Sequence, residues 1–391
     1  MKLNLLSLSP DSFVLGPPHL LEQFYPKKIL NIFNNTEKKS FETRGGYDKI
    51  ANSISTPWAV EIHLTSNCQC NCLHCSYTQR NQDSAELSSL TVNKILGSIN
   101  NLNISSLIYS GGGDPLAWQG GEFEEILKRD VPYNQSIATN GLGIINNFTP
   151  KTLQLLDILQ INVSGYNQYS YSQTTQTNNF NLFIQNMHWL FNNRNKNTTQ
   201  ITGKIVINNR NYLMVRDYLQ FCMQMDFDVV IIKLAGNFEP DQNVALNLNQ
   251  KQKLRELIYN SPAINYYPAQ IDAIVTNDNS VELQLSDKCW AIEYGLYMLI
   301  RSNGDVFPCV ASTCDTMNSI GNVYDRHIEE IWESVKHKAV KKKLHLDMKS
   351  CKCNLNVCRH MRYNLLLDKV VSSSQYIETL PYPAKSKPKL L

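Results

Sequence analysis

The chain has 391 residues, of which 42% are hydrophobic and 18% charged, and its net charge is +3 at neutral pH. That charge is too small to imply a nucleic-acid partner, and no stretch reaches the roughly 18–20 apolar residues of a membrane span. Its eleven cysteines, behind a start that lacks an apolar core and cleavage site for export, point to a reducing cytoplasm and to metal ligation rather than disulfides.

Residues 1–55 read as an N-terminal extension, with a helix between Leu20 and Phe33. Residues 58–64, Trp-Ala-Val-Glu-Ile-His-Leu, alternate like a strand. They lead into Cys68, Cys72 and Cys75, spaced C-x3-C-x2-C. Such a loop suits three thiolates on three irons of a [4Fe–4S] cluster. The fourth iron then stays open to bind and activate a small molecule, whereas structural metal sites are normally closed by protein ligands. A zinc knuckle or a redox thiol cluster is the alternative use of these residues. Cys70 is a fourth cysteine outside the spacing.

A helical stretch over 88–101 and a short strand from Leu107 precede Gly111-Gly112-Gly113-Asp114-Pro115. Glycines let a backbone approach a ligand closely and adopt positive φ. Strands are expected over 136–141, ending in Thr139-Asn140-Gly141, and over 159–164, ending in Ser164. Two more run over 201–208 and 229–234, with helices over 181–193 and 212–225. Residues 166–180 and 192–200 read as polar loops or helix starts. Lys233, at a strand end, either faces a cavity or is simply solvated. Cys222, between Phe221 and Met223, reads as a buried inert thiol.

Six cysteines gather after residue 285: Cys289, Cys309, Cys314, Cys351, Cys353 and Cys358. Residues 296–309 read as a hairpin turning at Asn303-Gly304, which brings Cys289 and Cys309 toward one metal centre. An apolar-periodic stretch then runs to Val340. Residues 372–391 carry three prolines without periodicity and read as a disordered tail.

The cysteine loop, the glycine run and the Thr-Asn-Gly strand end resemble the radical S-adenosylmethionine (SAM) superfamily. The C-terminal cysteines, with Gly304 between Cys289 and Cys309, resemble its SPASM and Twitch extensions. The resemblance spans residues 56–362. It implies an α/β fold: a partial (β/α)6 barrel over 56–285 and a small β-hairpin-plus-helix auxiliary-cluster domain over 286–371. Cys68, Cys72 and Cys75 would hold the SAM cluster. His74, at a position usually aromatic, would lie near the adenine. Gly111, Gly112, Gly113, Asp114, Thr139, Asn140 and Ser164 would line SAM, with Asp114 standing where the family usually has Glu. The run C-x-C-x4-C at 351–358 is shorter than the full SPASM pattern. It implies one auxiliary [4Fe–4S] cluster held by four of Cys289, Cys309, Cys351, Cys353 and Cys358; a zinc site including His360 is the alternative.

The implied activity is reductive cleavage of SAM to a 5′-deoxyadenosyl radical, which abstracts a substrate hydrogen. Peptide modification leads, whether cross-linking, epimerisation or side-chain maturation. The alternatives are radical oxidation or rearrangement of a small molecule such as an aminosugar, and a non-catalytic iron–sulfur module. Cys314 reads as an inert thiol, an auxiliary ligand or a hydrogen donor to a substrate radical. An electron donor such as flavodoxin or ferredoxin is implied as partner.

Overall fold

Short runs of Val, Ile and Leu alternate along the chain with amphipathic helices, the pattern that builds parallel sheets from repeated strand–helix units. The computed structural model describes residues 11–21, 56–77, 84–102, 104–128, 130–237, 243–274, 276, 289–347, 360 and 364. Its strands are β1 Ser12–Gly16, β2 Ala59–Ile62, β3 Ser106–Tyr109, β4 Asn134–Thr139, β5 Ile158–Asn162, β6 Gln200–Ile207, β7 Val229–Leu234, β8 Ala269–Asp272, β9 Tyr297–Ile300, β10 Asp305–Phe307 and β11 Gly321–Asn322. The longer helices are α1 Ser89–Asn101, α2 Gln168–Thr175, α3 Phe180–Asn193, α4 Val215–Met225, α5 Leu248–Tyr259, α6 Ile328–Glu333 and α7 Val335–Asp347.

Strands β2 to β7 pair in parallel and in chain order, giving the six strands of the expected barrel. The sheet stays open. Its full order is β11-β10-β9-β2-β3-β4-β5-β6-β7-β1-β8. One face of each strand packs under the helices: Val60 and Ile62 of β2, Ile137 of β4, Leu159 and Ile161 of β5, Ile205 of β6 and Ile232 of β7 all lie in one core. The other face is buried but polar, with Glu61, Ser136, Gln160 and Thr202. The period-two alternation therefore separates a helix-covered side from an inner side suited to polar ligands.

α1 shows why these segments are helical. Ser88 accepts the Thr91 N–H as N-cap, and Val92, Ile95, Leu96 and Ile99 form the buried stripe. No described helix is long and apolar enough to cross a membrane.

Three features add detail to the expectations. Ser12–Gly16, inside the stretch read as an extension, is a strand that pairs antiparallel with both β7 and β8. Its five buried residues are too short a run to stand out, and their partners lie more than 200 residues away. The hairpin also joins the barrel sheet. β9 pairs in parallel with β2, Ala59 opposite Tyr297 and Ile62 opposite Ile300, so the barrel sheet runs straight into the C-terminal region. Residues 168–175 take the helix-start reading of the polar stretch and form α2, held by a capping box between Asn167 and Ser170. Of the helix expected from Leu20, only the turn Pro18–Leu21 is described; residues 22–33 and the tail 372–391 lie outside the described residues.

Candidate iron–sulfur and cofactor site

β2 ends at Ile62, and the chain continues through His63 and Leu64 into the cysteine loop. The loop is fixed from two sides. Asn71 and Leu73 donate backbone hydrogen bonds to Thr175 O and Thr174 O at the end of α2. On the other side the glycine run pairs with the loop entrance: Gly113 N reaches Thr65 O at 3.0 Å and Asp114 N reaches Asn67 O at 2.7 Å. The approach is so close that a Cβ on Gly113 would sit 1.9 Å from Asn67 O. Only glycine fits there. Gly112 has φ +84, and a Cβ on Gly111 would meet the Tyr77 ring at 3.1 Å.

The sulfurs receive N–H donors. Cys70 N points to Cys68 Sγ at 3.5 Å, and Tyr77 N to Cys75 Sγ at 3.4 Å. The Asn140 amide approaches Cys68 Sγ at 3.8 Å while donating to Gln69 Oε1 at 3.0 Å. Such donors suit thiolate ligands. The neighbouring Cys70 thiol, burial and the Asp114 charge raise the Cys68 thiol well above the ordinary range, so metal must displace its proton on binding. Among the described residues no three His, Cys, Asp or Glu side chains could hold a metal ion together. A four-iron cluster is larger than one ion, and its thiolates stand further apart. Three cysteines, two of them with backbone N–H donors to sulfur, fit that group.

Cys70 is set apart by burial. It is 4% exposed, belongs to the helix-side core and lies 3.8 Å from the Tyr171 hydroxyl on α2.

Asp114, Thr139 and Asn140 come together, and the first two face each other. Asp114 is fully buried and accepts from Thr139 Oγ1 at 2.8 Å, Asn140 N at 2.6 Å and Leu116 N at 2.9 Å. Burial pushes its carboxyl up to about 6, against those three bonds. The carboxylate thus clamps the glycine run to the end of β4, and Asn140 is the member that reaches the cysteine loop. The His74 ring is enclosed, and burial, with Lys204 nearby, pushes it down to about 4. It is neutral at physiological pH. Ser164 lies beyond β5, half-buried, with its carbonyl accepting from the Tyr218 hydroxyl at 3.1 Å. Lys233 lies on β7 opposite Ser12 of β1 and is half-buried. Cys222 is buried in the main core, as expected for an inert thiol.

A buried chain escapes the sequence motifs. The Tyr77 hydroxyl lies 3.4 Å from His63 Nε2, which is 3.0 Å from Glu61 Oε1. Ser110 Oγ donates to the same carboxylate oxygen. The chain links the exit of the cysteine loop, the glycine run and the inner face of β2. Glu61 and His63 were visible as polar residues at alternate positions of an apolar strand, the signal that they share its inner face.

In the C-terminal region Cys289 and Cys309 are both buried. Cys289 caps the turn Trp290–Glu293. Its N–H reaches His345 Nδ1 at 3.1 Å, and Asn364 donates to its sulfur at 3.3 Å. β9 and β10 form the expected hairpin, turning with Gly304 at φ +86. Cys314 ends the 3-10 turn Val310–Cys314, and its side chain is outside the described residues. Cys351, Cys353 and Cys358 also lie outside them.

The model of the SPASM family, an iron-sulfur cluster-binding domain, matches residues 289–354. No curated protein matches the chain by sequence. Among solved structures, Streptococcus suis SuiB bound to S-adenosylmethionine is similar at 15% identity and a TM-score of 0.58, over 89% of this chain and 86% of that one. SuiB bound to precursor peptide SuiA is similar at 13% identity and 0.57, over 88% and 84%. Native anSMEcpe with bound AdoMet and Cp18Cys peptide gives 13% identity and 0.53, over 81% and 98%. The SPASM match marks residues 289–354 as an iron–sulfur cluster-binding domain, and the open parallel sheet that carries the cysteine loop shares its fold with these S-adenosylmethionine-bound structures.

Proposed function

We propose that the enzyme modifies a peptide through radical chemistry. The observation that supports this reading best is the open sheet, of a fold shared over most of its length with SuiB bound to its precursor peptide SuiA. A barrel sheet that does not close leaves its polar inner face reachable from the side, and an extended chain needs such access more than a compact metabolite does. The structure of anSMEcpe with Cp18Cys peptide is a second peptide-bound relative in fold.

The chemistry that SAM on a reduced [4Fe–4S] cluster supplies is abstraction of hydrogen from an unactivated C–H bond by a 5′-deoxyadenosyl radical. In this reading Cys68, Cys72 and Cys75 hold the cluster. Gly111–Gly113 offer backbone groups to the methionine end of SAM, and His74 offers its neutral ring to the adenine. Asp114 and Thr139 hold the glycine run against β4, and Asn140 keeps a donor on Cys68. Ser164 stands at the end of β5, within the same row of strand ends. Cys289 and Cys309, with two of Cys351, Cys353 and Cys358, hold the auxiliary cluster. A flavodoxin or ferredoxin delivers the electron in a reducing cytoplasm.

The test is anaerobic reconstitution with SAM, dithionite and peptides encoded beside the gene. Release of 5′-deoxyadenosine that rises with one peptide, and a mass change in that peptide, is the expected result. Equal release with every peptide and no mass change would remove the peptide reading.

A further inference from the structure

Asn364 lies beyond the SPASM match, which ends at residue 354, yet its side chain is built into the Cys289 site. The residue is 1% exposed. Its carbonyl Oδ1 accepts the Ala291 backbone N–H at 2.8 Å, and its Nδ2 lies 3.3 Å from Cys289 Sγ. The amide orientation follows from this pairing. A backbone N–H is only a donor, so the oxygen must face Ala291, and the NH2 group must face the sulfur. The Cys289 backbone N–H is committed elsewhere, to His345 Nδ1 at 3.1 Å. The other nitrogen of that ring faces the Glu293 carboxylate at 2.9 Å. His345 therefore accepts through Nδ1 and donates through Nε2 to Glu293 Oε2. The helical turn that starts at Cys289 is thus gripped at its backbone by α7, which carries His345, and at its sulfur by Asn364.

We infer that Asn364 is a positioning residue that raises the reduction potential of the auxiliary cluster by donating a hydrogen bond to the Cys289 sulfur. The inference rests on the reading of Cys289 as a cluster ligand. A thiolate ligand becomes more electron-rich when its cluster takes up an electron. A donor aimed at the sulfur stabilises that reduced state more than the oxidised one, and potentials of iron–sulfur centres follow hydrogen bonds to their sulfurs. Burial strengthens the effect, because little water competes for the sulfur. The pairing with Ala291 keeps the amide from turning away.

The test is a potentiometric titration followed by electron paramagnetic resonance. It uses the full chain in a Cys68→Ala/Cys72→Ala/Cys75→Ala background, which leaves the auxiliary cluster alone. Asn364→Leu removes the donor at nearly constant volume. Asn364→Asp removes the donor while keeping an acceptor for Ala291. Either variant is expected to keep the auxiliary irons and to shift the reduced-to-oxidised ratio at a fixed potential about tenfold toward the oxidised form, or about 59 mV for a one-electron couple. An unshifted midpoint in an iron-loaded variant overturns the inference. Loss of the auxiliary irons in both variants also overturns it, since the residue would then build the site rather than tune it. Failure of the underlying reading looks different: Cys289→Ala in the same background would retain its irons.

Discussion

The four cysteines of the loop look alike in sequence, and burial separates them. Cys70 packs in the helix-side core, against Tyr171, while Cys68, Cys72 and Cys75 are only partly buried, the first two at its edge. Replacing any of those three by Ala is expected to abolish 5′-deoxyadenosine release. Cys70→Ala should keep most of the release and lose about 1 kcal/mol of stability, the ordinary cost of trimming a packed side chain. Chromatographic assay of 5′-deoxyadenosine checks the first, and chemical denaturation the second; a Cys70→Ala variant as inactive as Cys72→Ala would reverse the ligand assignment. Asp114 allows a pH test. Burial raises its carboxyl from 3.8 to about 6, so between those values the native chain holds a proton that the unfolded chain has released. The stability this group contributes is present below about pH 4 and lost as pH rises through about 6. Asp114→Asn should flatten that slope in denaturation of the cluster-free chain. It should also cost about 1–3 kcal/mol, because one amide oxygen cannot serve three donors. The cysteine spacing and the glycine run were legible because their chemistry is local. The pairing of Asp114 with Thr139 was not, because it joins residues on separate strands and carries no spacing signal.

Among the elements, the glycine run and the cysteine loop act as one unit, joined by the bonds from Gly113 and Asp114. Gly113→Ala is the sharpest way to part them, since its Cβ would overlap the Asn67 carbonyl. Reconstituted Gly113→Ala protein is expected to lose about four irons, those of the SAM cluster, and to keep the auxiliary set. Full iron content would mean that the loop can move aside. The strands β2 to β7 were readable from their alternation and from flanking helices such as α1, with ends off by one or two residues. β1 and β8 were not readable. Both lie outside the parallel strand–helix repeat that marks β2 to β7, and β1 finds its partner across more than 200 residues.

For the molecule as a whole, the decisive feature is the β9–β2 pairing, which covers the edge of the strand that leads into the cysteine loop. Trp58, Ala59, Tyr297, Leu299 and Phe307 form their own apolar cluster across it. A chain ending at residue 288 would expose that edge together with Trp58 and Ala59, and exposed edges recruit other chains. Such a truncation is expected to be aggregated or cluster-poor; size-exclusion chromatography and iron assay check it. A soluble monomer with four irons would show that the barrel stands alone.

The same pairing bears on attempts to exchange parts among these enzymes. A C-terminal region taken from another scaffold would arrive with its own strand, and that strand must match β2 with Ala59 opposite Tyr297 and Ile62 opposite Ile300. A slip of one position would turn Tyr297 and Leu299 to the wrong side. It would also move His63, whose N–H rests on Ile300 O at 2.8 Å. A working chimera therefore has to inherit β2 and β9 from one parent as a matched pair, with its junctions placed away from that seam.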